Sequence, residues 1–270
     1  MPENPLGRSL PYALVYSPDL LYGVPRSAAR EEIGITDPLP FSGVDIWNAW
    51  ELTWLDELGK PVVATAEIRV AAGSPNIIES KSLKLYLNSF AMTRYPDAET
   101  VVDLIFDDLS RTAGGDIEID LYAAQTWQDM FVSTLPGSCI DDLDIECDSS
   151  IVDAGLLQTS ADFVTDCEVY SHLLRSNCPV TNQPDSGSVL VRYSGKQIDE
   201  AALLRYIVSY RQHNGFHEAC IENIFVDIMT NCSPTELTVC GYYNRRGGLD
   251  INPLRSNAEA DMEHIRLWRQ

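Results

Sequence analysis

Residues 77–90 read I-I-E-S-K-S-L-K-L-Y-L-N-S-F, and the reading of this run sets the fold of the first half of the chain. Over Ser82–Leu87 the side chains alternate. Leu83, Leu85 and Leu87 share one face, and Ser82, Lys84 and Tyr86 the other. A period of two predicts a half-buried strand. Upstream, Gly73-Ser74-Pro75 marks a break, and Val62–Val70 alternates as another strand. Further back, Asp45–Leu58 carries Trp47, Trp50 and Trp54, with Ile46 and Leu52 between them; aromatic anchors this dense point to a core or an interface, and core is the preferred reading. Residues 1 to about 45 are aperiodic and rich in Pro and Gly, which predicts an extended arm. Downstream, Asp97 is placed to cap a helix whose stripe is Val101, Val102, Ile105 and Leu109. Gly114-Gly115 ends that helix, and Ile117, Ile119 and Leu121 alternate with acids in a further strand.

The second half repeats this order. Phe163–His172 reads as a strand, and Val189, Val191 and Tyr193 alternate in the next. Between them, S-N-C-P-V-T-N-Q-P-D-S-G-S (Ser176–Ser188) is punctuated by Pro179, Pro184 and Gly187, which predicts a bent loop. Asp199 caps a helix with Leu203, Leu204, Ile207 and Val208, and Asn214-Gly215 breaks it. A second helix carries Ile221, Ile224, Phe225 and Ile228, and Leu237, Val239 and Gly241 mark a closing strand. The acidic stretch from Gly137 to Ser150 lacks the glycine of a calcium loop and reads as a solvated connection. The expectation is an α+β protein of two tandem ββααββ-type modules, 1–150 and 151–270. Each would have an antiparallel sheet with helices on one face.

Nineteen basic against 40 acidic side chains give a formal charge of −21, which repels phosphate backbones and argues against nucleic acid as a partner. The seven cysteines form no C-x-x-C pair or framework spacing, no secretory leader is legible, and no apolar run reaches about 18 residues. A cytoplasmic protein with reduced thiols and no membrane contact is expected.

Four constellations carry chemistry. Cys178 sits before a proline and seven positions ahead of Asp185: a thiol nucleophile with a proton-handling carboxyl, or a structural cysteine and a turn aspartate. Gly215-Phe216-His217-Glu218 opens a helix. Glu218 there either stabilises the helix N-terminus or accepts two hydrogen bonds from an amidine-like edge such as guanine's, while His217 contacts the ligand or supports the thiol region. Lys81 and Lys84 are either phosphate partners or guards of a strand edge. Arg245-Arg246-Gly247-Gly248-Leu249-Asp250 either converges on an anion or forms a turn with incidental charge. His172, Cys178, His217 and Cys220 match no zinc spacing, so no metal is expected, and G-x-G-x-x-G and G-x-S-x-G are both absent.

Together these stretches resemble the bimodular NADPH-dependent 7-cyano-7-deazaguanine reductases of queuosine biosynthesis, the nitrile reductases. The matching runs are the one from Ile77, S-H-L-L-R-S-N-C-P-V-T-N-Q-P-D from Ser171, F-H-E from Phe216 and R-R-G-G-L-D-I-N-P from Arg245. V-P-R-S from Val24 and D-I-W-N-A-W-E-L-T-W-L from Asp45 add to them. The E-S-K-S-L-K run is the most specific. It lies in the first half and the cysteine in the second, as in the two-module branch. Ser186 departs from the pattern, in which tryptophan commonly follows the Pro-Asp pair.

The resemblance implies a tunnelling fold, related to that of GTP cyclohydrolase I, and a family whose members assemble; a homodimer is expected. It implies Cys178 as the thioimide-forming nucleophile and Asp185 as proton donor. Ile77, Ile78, Glu79, His217 and Glu218 would hold the deazaguanine, and Ser80, Lys81, Arg246 and Gly247 would hold NADPH. The implied reaction takes the nitrile to an aminomethyl group with two NADPH per product. A purine- or pterin-binding module with an inert thiol, and a cyclohydrolase-like cysteine enzyme, are the rival readings.

Overall fold

A computed structural model describes residues 13, 15–123, 132–259 and 265–270. The first twelve residues of the expected arm lie outside this set. The chain divides into two compact units: one from the described parts of 1–28, 44–130 and 245–250, the other from 29–43, 131–244 and 251–270.

In the first unit, β1 (Gly23–Pro25) leads into α1 (Arg26–Glu32), so the arm carries regular elements where an extended path is expected. β2 (Ser42–Leu55) and β3 (Pro61–Ala71) form an antiparallel hairpin. β4 (Asn76–Ile78) pairs antiparallel with β1. Two helices follow, α2 (Ser80–Ser89) and α3 (Ala98–Ala113), and β5 (Ile117–Ala123) returns to pair with β3. Trp47 and Trp54 are buried on β2, as their density predicts, whereas Trp50 is only half-buried.

The run from residue 77 is not a strand beyond Ile78. Ser80–Ser89 is helical, which corrects the alternation-based reading. Both carboxylate oxygens of Glu79 accept first-turn amides, from Lys81 at 3.0 Å and Ser82 at 2.7 Å, so Glu79 is the N-cap. The buried positions Leu83, Tyr86, Leu87 and Phe90 fall at i, i+3, i+4 and i+7, the stripe of a helix packed on a core. Leu85 lies between them and is only half-buried. Its agreement with a period of two is a coincidence of leucines. α3 forms as predicted, with Asp97 accepting from the Thr100 amide at 2.8 Å and Gly114 in the left-handed conformation at its end.

In the second unit, β6 (Val132–Ser133) and β7 (Ser138–Cys139) are short. β8 (Thr159–Ser171), β9 (Arg175–Asn177) and β10 (Pro184–Ile198) precede α4 (Glu200–Ser209) and α5 (His217–Cys232), and β11 (Glu236–Tyr243) and β12 (Leu249–Ser256) follow. Strand order is β12-β11-β10-β8-β7, antiparallel except for the β7–β8 pair, with β9 beside the first residues of β10. β13 (Arg266–Leu267) pairs with β6. The segment expected to be a loop from Ser176 to Ser188 is narrower: only 178–183 turn, and Asp185 lies on a strand. Two long strands, two helices and two strands give this unit its expected order. The whole is mixed α+β, compatible with the tunnelling fold.

The helix pairs of the two units repeat one arrangement. Tyr86 is the seventh residue of α2 and Tyr206 the seventh of α4. Asp108 is the eleventh of α3 and Asp227 the eleventh of α5. Tyr86 donates to Asp108 at 2.7 Å, and Tyr206 to Asp227 at 2.6 Å. Ser89 and Ser209 each donate back to the carbonyl of that tyrosine at 2.6 Å. Burial raises the carboxyl of Asp227, and the Tyr206 hydroxyl works against that shift. A hydrogen bond to a half-buried carboxylate contributes about 1.5–3 kcal/mol. Tyr206→Phe is therefore expected to lower unfolding stability by about that amount in urea titration; a loss under about 0.5 kcal/mol would show the bond to be net neutral.

Candidate active site

The second unit gathers Cys178, Asp185, His217 and Glu218. β9 and the start of β10 form a hairpin with Asn177 opposite Pro184 and Ser176 opposite Asp185. Its turn is closed by the Cys178 amide donating to Gln183 O at 2.9 Å and the Asn182 amide to Cys178 O at 2.9 Å. Asn182 takes a positive φ of 54°, a conformation asparagine tolerates better than most residues. The same hairpin is tied to the approach to α5: the Asn177 amide donates to His213 O at 2.7 Å, and the Gly215 amide to Asn177 O at 3.1 Å. The thiol-bearing turn and the start of the helix carrying His217 are thus fastened through main chain, the arrangement that holds reacting groups in register.

Asp185 is buried, and its Oδ2 lies 3.4 Å from His217 Nε2. The His217 ring rests on the Tyr243 ring, centroids 3.9 Å apart and planes tilted by 36°. Glu218 is buried in the first turn of α5, where the helix dipole favours a negative charge. Behind this group the hydroxyls of Ser176 and Tyr243 lie near the Cys220 thiol. Both work to lower its pKa. Burial wins and pushes that thiol up to about 12. Such a shift from 9.0 cuts the thiolate fraction about a thousandfold at neutral pH. Iodoacetamide at pH 7.5 is expected to label the half-exposed Cys178 at least about a hundredfold faster than Cys220, read by peptide mass; equal rates would refute the burial argument.

The first unit holds the other expected site residues. Ile77 and Ile78 are buried on β4, and Glu79, Ser80 and Lys81 form the cap and first turn of α2. Arg246 to Leu249 is a tight turn, with Arg246 N donating to Leu249 O at 2.9 Å. Gly247 and Gly248 stand at φ 58° and 79°, where a side chain would be strained. The turn is anchored on β2. Trp50 N donates to Gly248 O at 2.9 Å, and the buried Asp250 accepts from Asn48 at 2.7 Å and from the Trp50 indole. The Arg245 guanidinium lies 5.7 Å over the Trp50 ring. Beside the turn opens a cleft of about 300 Å³, lined by Glu51, Lys84, Asn88, Gly247, Gly248 and Leu249 among others. A Cβ on Gly247 would come within 3.2 Å of the Lys84 stem. Bare glycine backbone beside a lysine and flanking arginines is a donor set that fits a phosphate-bearing cofactor. Lys84 lies against this turn.

Residues 12–121 match the family model described as "Nitrile reductase, 7-cyano-7-deazaguanine-reductase N-term", and residues 184–262 match "QueF-like protein". An NADPH-dependent 7-cyano-7-deazaguanine reductase from Desulfotalea psychrophila is 49% identical across 98% of this chain and 97% of its own. One of the same name from Burkholderia orbicola is 49% identical across 99% of both. A third, from an Azoarcus species, is 50% identical across 94% of this chain and 90% of its own. The chain belongs to the 7-cyano-7-deazaguanine reductase family.

The described residues thus build a cleft beside Gly247 in the first unit and a buried acid–imidazole pair beside the thiol-bearing turn in the second. Sequence reasoning missed Tyr243 under His217, and named Trp50 and Asp250 without their contact beneath the arginine turn. Each acts through a register or ring contact that no local pattern displays. Among the described residues no group of three or more His, Cys, Asp or Glu is placed to hold a metal ion, and no helix is long and apolar enough to cross a membrane.

Proposed function

We propose that this chain reduces the nitrile of 7-cyano-7-deazaguanine to the aminomethyl group, consuming two NADPH per product, through a covalent thioimide at Cys178. The observation that carries the reading is Asp185: a buried carboxyl on the strand that closes the Cys178 turn, 3.4 Å from His217. A nitrile carbon is a poor hydride acceptor, and sulfur addition splits one hard step into easier ones. The Cys178 sulfur bonds to the nitrile carbon while Asp185 delivers its proton to the nitrogen and takes up the one the thiol gives up, so that S–H adds across the triple bond with no atom gained or lost. Bound NADPH supplies hydride, one equivalent from each of two molecules. Cys178 leaves as thiolate once the carbon has been reduced a first time, and Asp185 with His217 returns protons to nitrogen and sulfur. Glu218 and Glu79, with the backbone of Ile77 and Ile78, hold the base. Ser80, Lys81, Arg246 and Gly247, joined by Lys84, hold the cofactor.

The reading includes two tandem modules, 1–150 and 151–270, each built on one Tyr–Asp-latched helix pair. It also includes a homodimer working in the cytoplasm on a free base rather than on nucleic acid, in keeping with the charge of −21. The test is direct. Protein, NADPH and the nitrile base are mixed and absorbance at 340 nm is followed against product. Two NADPH consumed per aminomethyl product is the expected result; no consumption defeats the reading.

A further inference from the structure

The segment Leu267–Gln270 has no part in the chemistry above, yet it is anchored on the backbone around it. Gln270 is 9% exposed, and every polar atom of its carboxamide is engaged. Its Nε2 donates to Tyr243 O at 3.2 Å and to Asn252 Oδ1 at 2.7 Å, and its Oε1 accepts from the Leu267 amide at 3.0 Å. Arg269 reaches back with one nitrogen to His172 O at 2.7 Å and Gly187 O at 3.2 Å. Ahead of them in the chain, Leu267 is buried and Trp268 is 85% exposed.

The carbonyls chosen are telling. Gly187 and Tyr243 face each other in the β10–β11 ladder. Gly187 follows Asp185 by two residues, at the point where β10 leaves β9 and takes up β8 as its partner. The strands approach so closely there that a Cβ on Gly187 would lie 2.8 Å from Tyr242 O. Tyr243 carries the ring on which His217 rests. The two anchor points are therefore the main-chain supports of Asp185 and of the surface beneath His217.

We propose that Leu267–Gln270 is a strap that positions the acid–imidazole pair, with Gln270 as its principal positioning residue. The inference rests on the thioimide reading. Gln270 never touches substrate. It fixes the Tyr243 backbone, and with it the ring that sets the height of His217 over Asp185, within the tolerance that proton transfer requires.

The test uses full-length protein, wild type and Gln270→Ala, Gln270→Glu and Trp268→Ala. Glutamate keeps the size of glutamine but has no N–H to give to Tyr243 O. Protein is mixed with 7-cyano-7-deazaguanine without NADPH, and the mass gained at Cys178 is followed in time between pH 6 and 9. Both Gln270 variants are expected to reach the wild-type extent of labelling about tenfold more slowly. Their pH profile should be displaced, and their KM for NADPH in turnover should stay within about twofold. Trp268→Ala should keep the wild-type rate. A merely structural role would lower the extent of labelling and leave the rate constant of the folded fraction unchanged; that result overturns the strap. So does a Trp268→Ala loss equal to the Gln270 loss. A wild-type protein that gains no mass overturns the thioimide reading and the strap with it, whereas wild-type labelling with unaffected Gln270 variants overturns the strap alone.

Discussion

Cys178→Ala is expected to abolish both events at this site: the mass gained from the nitrile base without NADPH, and NADPH oxidation in its presence. The loss in turnover should be on the order of 10⁴-fold or more, because removing the nucleophile removes the covalent route rather than weakening one contact. Fold damage is not the cause to expect. Cys178 contributes its backbone to the turn through the bonds to Gln183 and Asn182, and alanine preserves both. Six other thiols remain, of which Cys220, Cys232 and Cys240 are buried and pushed up to about 12, 11 and 12. None of these is placed to substitute at neutral pH. Turnover surviving in Cys178→Ala would defeat the assignment and favour a base-binding protein with an inert thiol.

Asp185→Asn should give the second-largest effect, slowing adduct formation by about 10²–10⁴-fold, the range for loss of a positioned general acid. The amide keeps the shape and the approach to His217 but has no acidic proton to deliver to the nitrile nitrogen. The base should still bind, so a dissociation constant from equilibrium titration should change little while the rate of mass gain collapses. An unchanged rate would remove Asp185 as the proton donor and leave His217 as the group to examine.

The spacing of Cys178 and Asp185, with the prolines and glycine around them, points to a bend but not to its form: the expected loop over Ser176–Ser188 is a turn over 178–183 between two strands, with Asp185 on the second, because main-chain pairing of the flanks leaves no mark in the sequence. The helices were legible wherever a cap residue and an apolar stripe coincided, as at Asp97, Asp199 and Val101–Leu109. The strand assigned to Ser82–Leu87 failed because three alternating leucines outweighed the carboxylate three positions ahead of Ser82, which is a cap. β12 was missed for another reason. Every residue from Leu249 to Ser256 is buried, polar ones included, so no alternation marks it. Arg255 is tolerated there because Glu222 meets it at 2.8 Å and also takes Arg30 at 2.7 Å, a buried cluster in which two guanidinium groups share one carboxylate. Buried ionic groups of this kind read as surface in a sequence. The Tyr243–His217 stack was out of reach because it depends on which β11 residue faces the start of α5, a matter of register alone.

The repeated tyrosine–aspartate latch has a corollary. Counting from the latch, the start of α2 (Glu79-Ser80-Lys81) corresponds to Asp199-Glu200-Ala201 at α4, and His217-Glu218 at α5 corresponds to Ala98-Glu99 at α3. A lysine stands at this position in one pair and an alanine in the other, while the imidazole of the second pair is matched by an alanine in the first. One helix-pair design, fastened by the same latch, therefore presents different side chains at its two N-termini, so that a latch variant in either unit should loosen a different set of groups.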